Sequence, residues 1–258
     1  MKFKIFVINL IFVSMICALG CDKNNDVKNG LSFDEYIEAA HKYLSTSDNE
    51  KAILAYKKAL KIKPTDANTH YELGWVYDTE RKRSYAEAFN KYQFKILTNP
   101  HFKQTKDQES ILEELGYKRQ YNALAIQEYK ETLKYDPSNW AARYYIATDY
   151  LNKKFYKEAI EQYKQVIKIN PKYIDAYKLL GESYLEIGLC NSAFDTFKKA
   201  YEIDANTESY FCDIGKVYVV KKDYVKLNEM FNKLKASPYY REKLTEYQYQ
   251  PHQRCTDQ

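Results

Sequence analysis

The sequence is poor in the residues that break or crosslink a chain, with 7 Gly, 6 Pro and 5 Cys in 258 residues. So few glycines and prolines exclude collagen-like and low-complexity sequence. Charge of one sign is also missing. The 40 Lys and Arg are nearly matched by 35 Asp and Glu, without the crowded basic stretch that marks a nucleic-acid-binding face. Catalytic and metal signatures are absent too: no glycine-rich phosphate loop, no GxSxG, no HExxH and no paired CxxC. His41, His70, His101 and His252 stand far apart without ligand spacing, and are expected at surface or groove positions rather than around a metal. Glu113 and Glu114 would point about 100° apart on a helix, which suits solvation rather than acid/base work. Neither catalysis nor a cofactor or metal is expected.

What is present is material for a packed interior. Hydrophobic residues make up 45% and charged residues 29%, with 27 Tyr and 12 Phe. That balance belongs to a folded chain, and the tyrosines supply its bulky apolar surface.

The first 21 residues have an export layout. Lys2 and Lys4 precede an apolar run from Ile5 to Leu19, broken only by Asn9 and Ser14, and then come Gly20 and Cys21. The run is shorter than the roughly 20 residues of a spanning helix. Ala18-Leu19-Gly20-Cys21 resembles the processing site of bacterial lipoproteins, with Ala and Leu in the reverse of their usual order. The resemblance implies removal of residues 1–20 and acylation of Cys21, which would tether the protein to a membrane. A plain signal peptide or an uncleaved anchor is the alternative. Asp22 resembles an inner-membrane retention signal and tilts the location that way. Residues 21–32, polar and without period, read as a flexible tether. Loss of the two leader lysines leaves a net charge of about +3.

The prolines expose a repeat. Pro64, Pro100, Pro137 and Pro171 are 36, 37 and 34 residues apart, and Pro238 follows 67 later. Ala52, Ala88, Ala125, Ala159 and Ala193 each precede an aromatic by four, namely Tyr56, Tyr92, Tyr129, Tyr163 and Phe197. Upstream stand Leu73-Gly74 with Tyr77, Ile146-Ala147 with Tyr150, Leu180-Gly181 with Tyr184, and Ile214-Gly215 with Tyr218. These slots resemble the tetratricopeptide repeat, a helix-turn-helix of 34 residues. The resemblance implies an all-α, right-handed superhelical solenoid of about six units: 33–66, 67–102, 103–139, 140–173, 174–207 and 208–241. A capping helix on Tyr240, Leu244 and Tyr247 and a disordered tail would complete residues 242–258. Unit two is expected to lengthen its turn near Arg81 to Tyr85, and unit three to have a short first helix or a bend at Gly116. Unit six, with Leu227 in the Ala slot, departs as terminal units do.

In this family the first helices line a concave groove that binds segments of other proteins. By register the groove residues are His41, Tyr71, Trp75, Tyr144, Thr148, Lys178, Glu182 and Lys216, aromatic in the first half and charged in the second. Tyr71 and Trp75, four apart on one face, are the foremost contact candidates, against the alternative that such tyrosines are interhelical filler. Ile37 and His41 occupy the slots where co-chaperones of this family carry a carboxylate clamp, so that clamp is not supported.

With Cys21 acylated and Cys17 removed, Cys190, Cys212 and Cys255 remain, an odd number. Cys190 and Cys212 fall at opposite ends of the helical layer, too far apart to bridge, and Cys255 is the reactive candidate. The implied function is a non-enzymatic scaffold or adaptor for cell-envelope proteins. The alternatives are a permanent structural subunit of an envelope complex and a protein that binds a small ligand in the groove.

Overall fold

The structure is a computed structural model that describes residues 30–98, 108–204, 207–223, 225–227 and 229, apart from the side chains of 207–212. The expected signal segment, Cys21, Asp22, Pro100, His101, the capping helix, His252 and Cys255 lie outside the described residues, and so does the Cys212 side chain.

Ten helices follow one another among the described residues. They are α1 (Phe33–Ser45), α2 (Asn49–Ile62), α3 (Ala67–Thr98), α4 (Gln108–Glu114), α5 (Gln120–Tyr135), α6 (Trp140–Asn152), α7 (Tyr156–Ile169), α8 (Ile174–Glu186), α9 (Cys190–Ile203) and α10 (Thr207–Lys221). No strand occurs among the described residues. Local chemistry sets several boundaries. Ser32 and Glu35 form a reciprocal capping box on α1, and Asp48 and Asn139 cap α2 and α6 through their side-chain oxygens. Pro64, Pro137 and Pro171 each stand two residues beyond the end of a helix.

The Ala and aromatic pairs are where the helices touch. All five alanines and all five aromatics are buried. Gly181 shows why the opposing slot is small, since a Cβ there would lie 2.4 Å from the Phe197 ring. Chain reversal between paired helices depends on a left-handed residue, found at Ser47 (φ 59°), Lys154 (φ 62°), Gly188 (φ 79°) and Lys222 (φ 58°).

The second unit departs from this plan, because the turn expected near Arg81 to Tyr85 does not form. Helix α3 runs unbroken for 32 residues, about 48 Å. Arg81, Lys82 and Arg83 are strong helix formers, and each pairs with an acidic residue one turn back: Arg81 and Lys82 with Asp78, and Arg83 with Glu80.

The pairing of helices changes as a result. A Cβ on Gly74, on the first half of α3, would lie 2.9 Å from the Tyr129 ring and 3.2 Å from the Ala125 carbonyl oxygen, both from α5. Ala88 and Tyr92, on the second half, pack instead with Ile111 and Leu112 of α4 in a separate small core. The first half of α3 and α5 therefore make one helical pair, and the second half of α3 with α4 stands out from it as an arm. Gly116, at φ +109° just beyond α4, turns the chain back, as the expected bend required.

The return is clasped at its base. Lys118 ion-pairs with Glu80 at 3.1 Å and Glu50 at 2.7 Å, and its backbone N–H donates to Ser84 Oγ. His70 is buried, unlike the surface or groove position expected of it. Its Nδ1 lies 2.6 Å from Glu128 of α5 and its Nε2 3.0 Å from the Pro64 carbonyl.

Cys190 begins α9 as expected. It is fully buried and disulfide-bonded.

Candidate functional site

The first helices of successive pairs, α1, the start of α3, α6, α8 and α10, present the residues expected in the groove. His41 of α1 is exposed, and its Nε2 lies 3.0 Å from Glu72 of α3. Its ring also meets the edge of Tyr56 at 6.2 Å. One helix turn beyond Tyr71, Trp75 is 41% exposed, uncommon for a large aromatic ring in a packed array.

Tyr71 is half-buried and starts an aromatic ladder that crosses three helical pairs. Ring centroids separate Tyr71 from Tyr129 by 6.0 Å, Tyr129 from Tyr145 by 4.8 Å in a parallel stack, and Tyr145 from Tyr144 by 5.6 Å. From Tyr144 the next step is 5.0 Å to Tyr173, and Tyr173 lies 4.7 Å from Trp140. Burial, with Tyr71, Asp78 and Tyr144 alongside, pushes the Tyr145 hydroxyl up to about 12. Burial likewise raises Tyr71 and Tyr144, so the ladder stays neutral. Thr148 is used internally, its hydroxyl donating to the Tyr144 carbonyl and lying 3.1 Å from the Tyr163 hydroxyl.

The charged half is built on α8 and α10. Lys216 ion-pairs with Glu182 at 2.9 Å and Asp213 at 3.3 Å. Burial pushes the Asp213 carboxyl up against the pull of Lys216, and Lys178 adds to that pull.

The expected residues thus separate into three sets. His41, Tyr71 and Trp75 share the α1 and α3 end. Tyr144 and Thr148 are absorbed into packing at the centre. Lys178, Glu182 and Lys216 share the α8 and α10 end. Sequence reasoning missed Glu72, Asp78, Tyr129, Tyr145 and Asp213. Glu72 and Asp213 stand beside candidates already named, and their sign against His41 and Lys216 was a usable signal. Tyr129 comes from a second helix, and no first-helix register would have found it.

Among the described residues no group of three His, Cys, Asp or Glu could hold a metal ion. No described helix is long and apolar enough to cross a membrane.

The model of the TPR repeat matches residues 40–78 and 149–188. No curated protein matches the chain. Among solved structures, MamA of Desulfovibrio magneticus RS-1 is similar at 20% identity and TM-score 0.57, over 85% of this chain and 98% of that one. YrrB, described as a TPR protein with an unusual peptide-binding site, is similar at 17% identity and TM-score 0.53, over 83% and 84%. PilF of Pseudomonas aeruginosa is similar at 18% identity and TM-score 0.52, over 83% and 88%. At these identities the likeness concerns the fold. The chain therefore carries TPR repeats and folds as an all-helical TPR solenoid.

Proposed function

We propose that this solenoid is a non-enzymatic adaptor, exported and tethered by acylated Cys21, that holds segments of other envelope proteins in its concave groove. The observation that carries the reading is Trp75, 41% exposed one turn from Tyr71 on a first helix. Aromatic side chains left open in a rigid array favour contact with a partner at little cost in conformational entropy. The peptide-binding site for which YrrB is described supports a groove of this kind. The disulfide at Cys190 supports an oxidising compartment, in keeping with the export layout of residues 1–21.

The groove chemistry favours a segment with an apolar side chain against Tyr71 and Trp75, and charge further along, near Lys178 and the Glu182–Lys216 pair. The test is a library of immobilised peptides from envelope proteins, probed with the full-length chain and with Tyr71→Ala/Trp75→Ala. Peptides bound by the former and lost at least tenfold with the latter, at unchanged helix content, are the expected result. Equal binding by both removes the site, and no bound peptide removes the adaptor reading. Anchoring is read separately. Mass spectrometry should find acyl chains on Cys21, and Cys21→Ser should move the protein from the membrane to the soluble fraction.

A second reading, a structural subunit packed permanently into an envelope complex, is favoured by the end of the arm. Phe94 and Leu97 there are 66% and 80% exposed, beside Ile96. In that case Phe94→Ser/Leu97→Ser abolishes co-purification of the complex while the peptide library shows no binding.

A further inference from the structure

A stripe of four side chains runs along one face of α3. Tyr71, Trp75, Asp78 and Lys82 follow one another at i, i+4, i+7 and i+11, the spacing that keeps residues on one side of a helix. Tyr145 joins them from α6, the next first helix in the stack. The Lys82 ammonium lies 2.6 Å from Asp78 Oδ2 and 5.9 Å from the centre of the Tyr145 ring, within the reach of a cation–π contact. A carboxylate beside an aromatic face is chemistry that binds ammonium and guanidinium groups. Here the cation comes from the chain itself.

Three observations say that Lys82 stands in for another cation. Residues 67–80, which build this stretch of the groove, carry Glu72, Asp78 and Glu80 but neither Lys nor Arg, although the whole chain has a net charge of +5. Lys82 is weakly held, for its side chain is 62% exposed while that of Asp78 is 12% exposed, and Asp78 keeps a second partner in Arg81, whose Nη2 donates to Oδ1 at 2.8 Å. Behind the Tyr145 ring, Tyr129 is buried and stacked on it, with a hydroxyl that has no hydrogen-bond partner among the described residues. Burial raises that hydroxyl most, and Asp78, Tyr145 and Tyr71 are the next causes, which places it among the same carboxylate and rings.

We infer that the groove recognises a basic side chain, and that a Lys or Arg of the bound segment takes the place of Lys82 between Asp78 and Tyr145. The inference rests on the groove reading proposed above and adds to it the chemistry of one partner residue. A fitting segment places an apolar side chain on Tyr71 and Trp75 and a basic one beside it. Lys82 is then an internal competitor, and an exposed lysine four residues from its carboxylate is exchanged at little cost.

The test is fluorescence anisotropy of the full chain with a fluorescein-labelled peptide of alternating Leu and Lys, beside the same peptide with every Lys acetylated. The first should bind, and the second at least tenfold more weakly. Lys82→Ala should tighten binding of the first at least threefold, whereas Lys95→Ala, the same loss of charge on the arm, should leave it unchanged. Tyr145→Leu should weaken it at least fivefold and Tyr145→Phe should not, at unchanged helix content in both. No binding of the alternating peptide, equal binding after acetylation, or no tightening with Lys82→Ala overturns the inference. The library of envelope peptides separates it from the groove reading. Library peptides that are lost with Tyr71→Ala/Trp75→Ala yet bind equally well when acetylated refute the basic-residue site and leave the adaptor standing. An alternating peptide that binds as expected while no library peptide does supports the site and removes the adaptor.

Discussion

Glu80 and Lys118 are 38 positions apart in the chain, yet their charged groups meet at 3.1 Å where the arm leaves and rejoins the solenoid. The Glu80 carboxylate is buried, and it also accepts from Asn49 and Arg83. Burial alone would raise its pKa, but the hydrogen bonds from Arg83, Asn49 and Lys118 outweigh it and hold the group below the ordinary carboxylate value.

A carboxylate so held contributes stability above its unfolded-chain pKa of about 4.3, and that stability is lost as pH falls through the lower folded value. Thermal melts of the wild type should therefore drop in Tm below about pH 4.3, and those of Glu80→Gln should drop less over the same window. At pH 7, Lys118→Ala should cost about 1–3 kcal/mol by leaving a buried acceptor short of a donor. Equal pH profiles for wild type and Glu80→Gln would dismiss the clasp as an energetic feature.

The Tyr129 hydroxyl is buried without a hydrogen-bond partner among the described residues, whereas the Tyr163 hydroxyl has Thr148. Tyr129→Phe is expected to stabilise by about 1 kcal/mol, raising Tm by about 2–4 °C. Tyr163→Phe should lower Tm instead. Calorimetry of the two variants side by side decides it.

Gly181 and Gly74 face rings at 2.4 Å and 2.9 Å from where a Cβ would stand. An alanine inside an exposed helix would gain about 1 kcal/mol over glycine. Here overpacking reverses the sign, and each Gly→Ala should lose about 1–3 kcal/mol in chemical denaturation, Gly181→Ala the more. A gain at either position would contradict the close approach.

The arm has its own small core, separate from the cluster that holds Tyr77 and Tyr129. Because Ser84 and Lys118 are already in hydrogen-bond contact, a linker of about four residues can replace 86–115. The shortened protein should melt cooperatively within about 5 °C of the parent. Loss of cooperative melting would mean that the arm belongs to the main core.

The sequence was legible wherever its signal was local. The Ala and aromatic pairs four residues apart lie on single helices, and all of them are buried in the structure. Prolines mark helix ends because a missing N–H acts within one turn. What was not legible was a choice of partner. Ala88/Tyr92 and Ala125/Tyr129 carry identical spacing, and nothing in either pair says which will face Gly74. The choice is made by Arg81, Lys82 and Arg83, whose ion pairs keep α3 straight where the other units place a left-handed residue. The groove was legible in the same measure. Helical register found Tyr71 and Trp75, but not Tyr129, which reaches Tyr71 from a helix 58 residues later.

The pairing of the first half of α3 with α5 also sets a timetable. Leu73, Gly74 and Tyr77 are complete once residue 80 has been made, but their partners Ala125 and Tyr129 come about 50 residues later, a delay of about 3–10 s at ordinary synthesis rates. For that interval a tyrosine-rich surface waits uncovered, while Ala88 and Tyr92, spaced to fit the same slot, have already emerged. The arm then draws away the nearer competitor, since its core of Ala88, Tyr92, Ile111 and Leu112 is complete in sequence before Ala125 and Tyr129 have been made.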